Sequence, residues 1–324
     1  MTKQLITVLG ASGLLGRAVA RELAARPVRL RLVARRPSPA PARARAEVEV
    51  RTVDLAEGGS VAAAVAAADV VIHLVAPSSG AGTWRAAATG PAAGLVGAGL
   101  ATDLIDALRG RARPPIVLFA GSMSQVGGGA RVRLDGNEPD DPLTVYDQQK
   151  LAVEQAIEAA TAEGVVRGCS LRLATLYSRG PDHDADRGVL AAMARRALAD
   201  RPLTMWHDGT IARDLLCADD CARAFTAALD EIDAVAGRHW LVGTGQATTI
   251  GAAFTMIAQA AAEHTGREPV PVVQVPPAET LMPTDLLDLV LDPSAFQKAT
   301  GWAPHVPLRD GVESLVAAVA RDAN

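Results

Sequence analysis

The sequence predicts an α/β protein, a doubly wound parallel sheet followed by a smaller C-terminal lobe. Leu5 to Leu9 (Leu-Ile-Thr-Val-Leu) is a short apolar run of the kind a strand buried on both faces requires. Gly10, Gly13 and Gly16 follow at three-residue spacing and lead into Arg17 to Ala25, an amphipathic stretch of good helix formers. Further on, short apolar runs and helical stretches alternate to about residue 176, as parallel strands joined by right-handed crossovers would. A chain of 324 residues is long for one compact domain and leaves room for the lobe.

The elements follow in order. Val28 to Ala34 is expected as the second strand, closing on Arg35-Arg36, with a Pro/Ala-rich loop after it. Val48 to Val53 is the third strand, ending at Asp54; Ser60 to Ala68 is a helix and Val70 to Ala76 the fourth strand. Gly94 to Arg109 reads as a helix, Pro115 to Ala120 as the fifth strand, Tyr146 to Glu163 as a helix and Ser170 to Leu176 as the sixth strand. Past residue 177 the rhythm changes to Gly- and Asp-rich loops, a Pro-interrupted segment (Glu268 to Pro283) and two more helices. The main domain is expected to span 1–176 plus about 212–242, and the lobe 177–211 and 243–324. No internal repeat is present.

Composition narrows the function classes. A net charge of −4 gives no broad attraction to nucleic acid or to an anionic membrane, so neither is expected as a partner. No apolar run approaches the roughly 20 residues of a membrane span, and the five-residue run near the start is too short for a signal segment. A cytoplasmic protein is the expectation. Cys169, Cys217 and Cys221 are an odd number at no metal-like spacing and read as buried thiols. The contiguous cluster Asp182-His-Asp-Ala-Asp186 suits no usual coordination geometry and reads as a solvated loop, so no metal site is expected. His73, at the end of the fourth strand, reads as a structural or cofactor-edge residue.

Strand, glycine turn and helix in that order are the context of a dinucleotide fingerprint. Glycines let the backbone approach a pyrophosphate, whose charge then sits against the free N–H groups of the helix start. Gly10, Ser12, Gly13, Leu14, Leu15 and Gly16 are the candidates. Where an NAD site presents an acidic residue to the ribose 2′-hydroxyl, this chain has Arg35 and Arg36. An arginine fork fits a 2′-phosphate that a carboxylate would repel, so NADPH/NADP is the expected cofactor. Asp54, with Leu55 beside it, reads either as a partner of the adenine amino group or as a turn-starting Asp. Ligands of such sheets lie at the carboxyl ends of the strands, which adds Leu74, Val75, Ala76 and Ala120 to the cofactor edge. Tyr146 and Lys150 stand at i and i+4 on one helix face, where an ammonium is expected to lower the phenol pKa toward neutrality. A hydroxyl to polarise a carbonyl is expected from the end of the fifth strand, from Ser122 or Ser124.

These motifs resemble an extended short-chain dehydrogenase/reductase of the sugar-nucleotide epimerase/dehydratase superfamily. Within it, the chain most resembles actinobacterial ketoreductases that finish dTDP-4-keto-deoxyhexoses for antibiotics. The likeness runs through Gln4-Leu-Ile-Thr-Val-Leu-Gly-Ala-Ser-Gly, Pro27-Val-Arg-Leu-Arg, Val71-Ile-His-Leu-Val-Ala and Thr83-Trp-Arg. It continues in Tyr146-Asp-Gln-Gln-Lys, Pro202-Leu-Thr-Met-Trp-His-Asp-Gly, Arg213-Asp-Leu-Leu and Gly301-Trp-Ala-Pro. The resemblance implies a Rossmann-type fold with a substrate-binding lobe and roles for single residues. Ser122, with Ser124 as the second candidate, would be the catalytic hydroxyl, Tyr146 the acid, and Lys150 the residue that binds the nicotinamide ribose. Leu173, Ala174, Thr175 and Leu176 would line the nicotinamide, Arg213 would clamp the sugar-nucleotide diphosphate, and Trp206 would pack on the base or simply fill the lobe core. Trp84 joins the substrate side, and a homodimer through the helices at Gly94 and Tyr146 is implied.

Two departures matter. Met123-Ser124 stands where dehydratases carry Asp-Glu, which removes the acid and base for eliminating water. Met282-Pro-Thr stands where many relatives place a second phosphate-binding arginine. The expected activity is NADPH-dependent reduction of a dTDP-4-keto-deoxyhexose. The alternatives are an NAD-dependent epimerase, a non-enzymatic NADP sensor, and reduction of a polyketide or flavonoid ketone, since fold does not set substrate.

Overall fold

The computed structural model describes residues 3–76, 95–129, 133–180, 186, 188–277 and 281–322. The central sheet comprises β1 (Leu5–Leu9), β2 (Arg29–Ala34), β3 (Glu47–Thr52), β4 (Val70–His73), β5 (Ile116–Ser122), β6 (Arg167–Leu173) and β7 (His239–Val242). Neighbours pair in parallel throughout, in the order β7-β6-β5-β4-β1-β2-β3. Alternate side chains feed two apolar layers, because successive residues of a strand point to opposite faces. Ile6, Val8, Leu30, Leu32 and Leu118 pack with α1 (Leu14–Ala24) and, later in the chain, with Phe225 and Leu229. Leu9, Val33, Val71 and Val117 pack on the other side with α2 (Ser60–Val65), α3 (Leu100–Leu108) and α4 (Val145–Ala162). This is a Rossmann-type doubly wound sheet.

The strand order reverses at β1, which has β2 on one side and β4 on the other, and the crevice opens at their carboxyl ends. Gly10 occupies that point with φ +88°, and a Cβ there would lie 2.9 Å from the Leu74 carbonyl carbon. Neither the left-handed backbone nor the contact leaves room for another residue.

The lobe has its own core. Tyr177, Leu190, Leu203, Phe254, Ile257 and Leu315 join α5 (Val189–Leu198), α7 (Ile250–Thr265) and α8 (Leu308–Asp322). Between α5 and α7, α6 (Ala218–Asp230) returns to the sheet and packs on α1. Short ladders tie the parts together: Thr175–Tyr177 with Leu215–Cys217, Leu203–Met205 with Val272–Gln274, and Ala212–Arg213 with Thr248–Thr249. Cys169, Cys217 and Cys221 are buried thiols.

Several boundaries differ from the sequence reading. β4 stops at His73, and the helix expected from Gly94 begins, within the described residues, as a π-turn over Leu95–Gly99 before α3. The sixth strand starts three residues early because pairing with Ile116 to Leu118 draws Arg167 to Cys169 into the ladder. It breaks at Ala174, after which Thr175–Tyr177 pairs with the lobe-side ladder instead. β7 was not foreseen at all: a four-residue run is too short to show a period, and its pairing with Ser170 to Leu173 makes it a strand. Asp186 is buried rather than solvated, accepting the backbone N–H groups of Ser178 at 2.8 Å and Gly188 at 2.7 Å; residues 182–185 lie outside the described residues.

Two buried groups govern stability. Arg172 on β6 is 1% exposed and binds Glu154 of α4 at 2.5 Å and Asp140 at 2.8 Å, pinning α4 to the sheet. Glu154, Glu158 and His239 offer ligand atoms within 4.8 Å of one another, but the Arg172 guanidinium already neutralises Glu154. Glu154→Ala leaves that guanidinium short of its buried partner and is expected to cost about 3 kcal/mol, read from the denaturant midpoint. His73, 1% exposed, has its pKa lowered to about 3, first by burial and then by the Lys150 charge. The unfolded chain therefore binds more protons than the folded one below its ordinary value near 6.5. Stability from this residue is full above pH ~6.5 and falls as pH drops toward ~3. His73→Asn is expected to flatten that part of the stability–pH curve.

Candidate active site

α1 begins directly on the glycine turn. Gly13 is its N-cap, with no side chain capping the helix and no acidic residue in the first turn, so the first-turn N–H groups face the crevice. Gly16 cannot carry a side chain, since a Cβ would sit 2.2 Å from the Gly10 carbonyl oxygen. Gly13 is different: its nearest neighbour to a Cβ is that same oxygen at 3.5 Å, which leaves the approach to the helix start open. The turn is braced by Gly10 N–H to the Val33 carbonyl at 2.9 Å and by Ser38, whose buried hydroxyl donates to the Ala11 carbonyl at 3.0 Å. An uncapped, side-chain-free helix start is the donor set a pyrophosphate needs, so the residues present fit a dinucleotide. Gly10, Ser12, Gly13, Leu14, Leu15 and Gly16 make up this turn and helix start.

Arg35 and Arg36 are both exposed where β2 ends. Asp54 is exposed and accepts the Ala56 N–H at 3.0 Å, which makes it a turn-starting Asp with one oxygen committed. Leu55 is buried behind it. Leu74 and Val75 are half-buried, Ala76 is exposed, and all three line the continuation of β4. Ala120 is buried on β5. Leu173 and Ala174 are buried at the end of β6, with Thr175 and Leu176 half-buried beyond them.

The reactive groups converge between β4, β5 and α4. Thr144 caps α4, its hydroxyl accepting the Asp147 N–H at 3.2 Å, and this puts Tyr146 in the first turn and Lys150 one turn later. The Lys150 ammonium is buried, donates to the Ala120 carbonyl at 2.7 Å, and lies 4.7 Å from the Phe119 ring centre and 5.7 Å from that of Tyr146. Burial lowers its pKa to about 8. The Tyr146 hydroxyl is hydrogen-bonded to Ser122. Contrary to the expected depression, the phenol pKa is raised, by burial first and then by the Asp147 charge, with the Ser122 bond opposing both. The ammonium's nearest bond is to a carbonyl, so it stabilises the end of β5 rather than a phenolate.

Ser122 is held in place from behind: its N–H donates to the buried Gln125 side chain at 2.8 Å. Its hydroxyl lies 2.7 Å from that of Ser124, which in turn donates to Asp147. Ser122 thus stands between the phenol and Ser124. His73 Nδ1 accepts the Val75 N–H at 3.3 Å, while its Nε2 has no hydrogen-bond partner among the described residues. It lines a cavity of about 10 Å³ together with Tyr146, Gln149 and Lys150. His73 is therefore a half-satisfied edge residue.

On the lobe side, Arg213 is buried and donates to the carbonyls of Ala212, Thr284 and Asp285 at 3.1, 2.7 and 3.1 Å. The segment lacking a second arginine thus holds the first one by its backbone. That same turn packs against the residues after Ser122, which links Arg213 to the hydroxyl end of the site. Trp206 is half-buried at the end of the Leu203–Met205 strand. Trp84 and Gly94 lie outside the described residues. Sequence reasoning missed Asp147, Gln125 and Asp214. Asp214, fully buried, accepts from Thr244 and Gly245 and fixes the backbone next to Arg213. The only signal in the sequence was an Asp next to a motif residue, after Tyr146 and after Arg213; its burial is a property of the fold.

The profile of the NAD dependent epimerase/dehydratase family matches residues 6–243. A dTDP-L-rhamnose 4-epimerase of Burkholderia thailandensis is 29% identical over 191 residues, 59% of this chain and 50% of that protein. A 2′-dehydrokanamycin reductase of Streptomyces kanamyceticus is 30% identical over 124 residues, 38% of this chain and 35% of that protein. The chain thus spans about half the length of the curated relatives it matches. Among solved structures, the UDP-glucose 4-epimerase of Thermotoga maritima with UDP-glucose is similar with a TM-score of 0.83 and 21% identity, over 99% of this chain and 100% of that one. The UDP-glucose 4-epimerase of Thermus thermophilus in complex with NAD gives a TM-score of 0.78 and 23% identity, over 98% and 99%. These structural likenesses speak for the fold, and among the described residues no helix is long and apolar enough to cross a membrane. With its glycine turn, its Tyr146/Lys150 pair and a family match over most of its length, the chain belongs to the NAD-dependent epimerase/dehydratase family.

Proposed function

We propose that the chain is an NADPH-dependent ketoreductase of a nucleotide-linked deoxyhexose, reducing C4 of a dTDP-4-keto-deoxyhexose. The observation that carries this reading is the arginine pair at the end of β2, exposed where an NAD site needs an acidic residue. A 2′-phosphate is a dianionic group that two guanidinium forks can bind, so the preference is for NADPH. Net reduction follows from that preference, because a pool of NADPH is held reduced and is exchanged at each turnover.

A bound NADPH would supply a hydride. The residues of the chain do the rest. Gly10 to Gly16 and the start of α1 would hold the pyrophosphate, and Arg35 and Arg36 the 2′-phosphate. Lys150, fixed on the Ala120 carbonyl, would reach the nicotinamide ribose. Tyr146 is the proton donor to the developing alkoxide, and its raised pKa supports an acid that stays protonated until the oxygen of the substrate becomes basic. Ser122 positions that phenol. Arg213 and Trp206 would bind diphosphate and base in the lobe, so that binding far from the reacting carbon supplies orientation. A cytoplasmic homodimer, with 177–211 and 243–324 as the substrate lobe, belongs to the same proposal.

A second reading, a sugar-nucleotide 4-epimerase with resident NAD, is favoured by the names of relatives such as the rhamnose epimerase. The two separate in one assay. Loss of NADPH absorbance with a dTDP-4-keto-6-deoxyhexose, faster than with NADH, is the expected result; NAD copurifying with the chain and no net cofactor consumption would establish the epimerase instead. Tyr146→Phe is expected to lower kcat by about 10²–10⁴ with the cofactor still bound. Replacing Arg35 and Arg36 together by Ala is expected to raise KM for NADPH by about tenfold to a hundredfold and leave that for NADH within about twofold.

A further inference from the structure

Behind Tyr146 and Lys150, His73 and Gln149 line one small cavity, and each carries a buried polar atom with no hydrogen-bond partner among the described residues: His73 Nε2 and Gln149 Oε1. The two atoms are of opposite kinds. His73 Nδ1 accepts the Val75 N–H at 3.3 Å and so carries no hydrogen. The buried ring is neutral near pH ~7, its pKa lowered to about 3, so its one hydrogen is on Nε2, which makes that atom a donor. Gln149 Oε1 is a carbonyl oxygen and only accepts. The Gln149 side chain lies on Gly97, where a Cβ would come within 2.9 Å of the Gln149 Cβ and 3.0 Å of its Oε1. A glycine there is what leaves the amide its place. The cavity measures about 10 Å³, about the room of one water. Lys150 lines it as well, with one of its three ammonium hydrogens given to the Ala120 carbonyl at 2.7 Å.

We propose that this cavity is the binding site of one structural water, held between the His73 Nε2–H and the Gln149 carbonyl oxygen, and that Gln149 is thereby a positioning residue for Lys150. The water accepts hydrogens from His73 and from the Lys150 ammonium and donates one to Gln149. Three bonds are the usual complement of a buried water. An apolar occupant would leave both polar atoms unpaired, and a larger polar one would not fit. A second bond fixes the rotation of the ammonium. With one hydrogen on Ala120 and one on the water, the third is the one that can meet a ribose hydroxyl, a role that rests on the cofactor reading above. The titratable groups around the ammonium are His73 on β4 and Tyr146 and Asp147 on α4, while β5 presents Phe119 and the π-turn presents Gly97. The Asp147 carboxylate is already taken up by the hydroxyls of Thr144 and Ser124. The water is thus the group on this side that can solvate the charge.

A crystal structure of the parent chain is expected to show one water within hydrogen-bond distance of both His73 Nε2 and Gln149 Oε1. A direct contact between the two side chains, or no density between them, would overturn the proposal. A second measurement follows the ammonium itself. The chain has three lysines, so Lys3→Arg with Lys298→Arg leaves Lys150 as the single signal of isotope-labelled lysine in an NMR titration. Burial already brings Lys150 down to about 8. Gln149→Met keeps the length of the side chain on Gly97 and removes the acceptor, which leaves the water with donors only. This variant is expected to weaken proton binding by Lys150 about tenfold and to move the alkaline limb of kcat/KM about one pH unit lower. Gln149→Glu, which keeps an acceptor oxygen, is expected to bind the proton at least as tightly as the parent. Unchanged Lys150 titration in Gln149→Met would overturn the positioning role. The crystal structure and the NMR titration need no sugar nucleotide, so failure of the parent chain to consume NADPH with the keto sugar would remove only the proposed activity.

Discussion

A buried ammonium with the Ala120 carbonyl as its partner organises the cleft. Lys150 is 6% exposed, and the donation at 2.7 Å joins α4 to the last residues of β5. Desolvating a cation is expensive, and the carbonyl and the faces of Phe119 and Tyr146 offset only part of it. The lowered pKa of about 8 is the remainder. What this contact provides is geometry. It holds the helix carrying Tyr146 against the strand end carrying Ser122, and Arg172 reinforces the same helix one turn after Lys150 through Glu154. The phenol, the serines and Asp147 meet because those two anchors leave α4 one place to sit.

The cofactor half is organised by steric exclusion. Gly10 and Gly16 are required because backbone from the turn itself and from the end of β4 fills the space a side chain would occupy. That close packing brings β1, β4 and the start of α1 to one point, where three sets of strand-end and helix-start groups share a crevice. Ser38 closes the arrangement by tying the residues after Arg35 and Arg36 back to the turn at Ala11. The arginine pair is thus displayed from a segment anchored to the same backbone that would hold the pyrophosphate.

Much of this was legible in the residues. The run Leu5 to Leu9, the glycines and the alternation of strands and helices determine the sheet, because burial on both faces and tight turns are local requirements. Tyr146 and Lys150 were legible because an i, i+4 spacing is itself a geometry. What was hidden depends on contacts between distant segments. The strand His239–Val242 exists through its pairing with β6, and Asp147 takes on meaning only when Ser124, 23 positions earlier in the chain, comes to lie against it. The pKa direction of Tyr146 failed for a related reason: spacing places the ammonium on the same face, but burial and the neighbouring carboxylate outweigh it. Arg213 is the mixed case, where the missing second arginine was visible and the use of that segment's carbonyls to hold the first one was not.

The two halves of the cleft bear on direction of reaction together. A phenol whose pKa is raised by burial and by the neighbouring carboxylate holds its proton and is little disposed to remain ionised. A reductase needs the proton held until the carbonyl oxygen becomes basic, once per turnover. An epimerase needs the phenol to act as base first and as acid afterwards, so a strong bias toward the protonated form slows its opening step. On independent grounds, the proposed preference for a phosphorylated cofactor rests on the charge of the exposed arginine pair where β2 ends. Under the proposed reductase reading, the buried phenol and the exposed arginine pair act in the same sense.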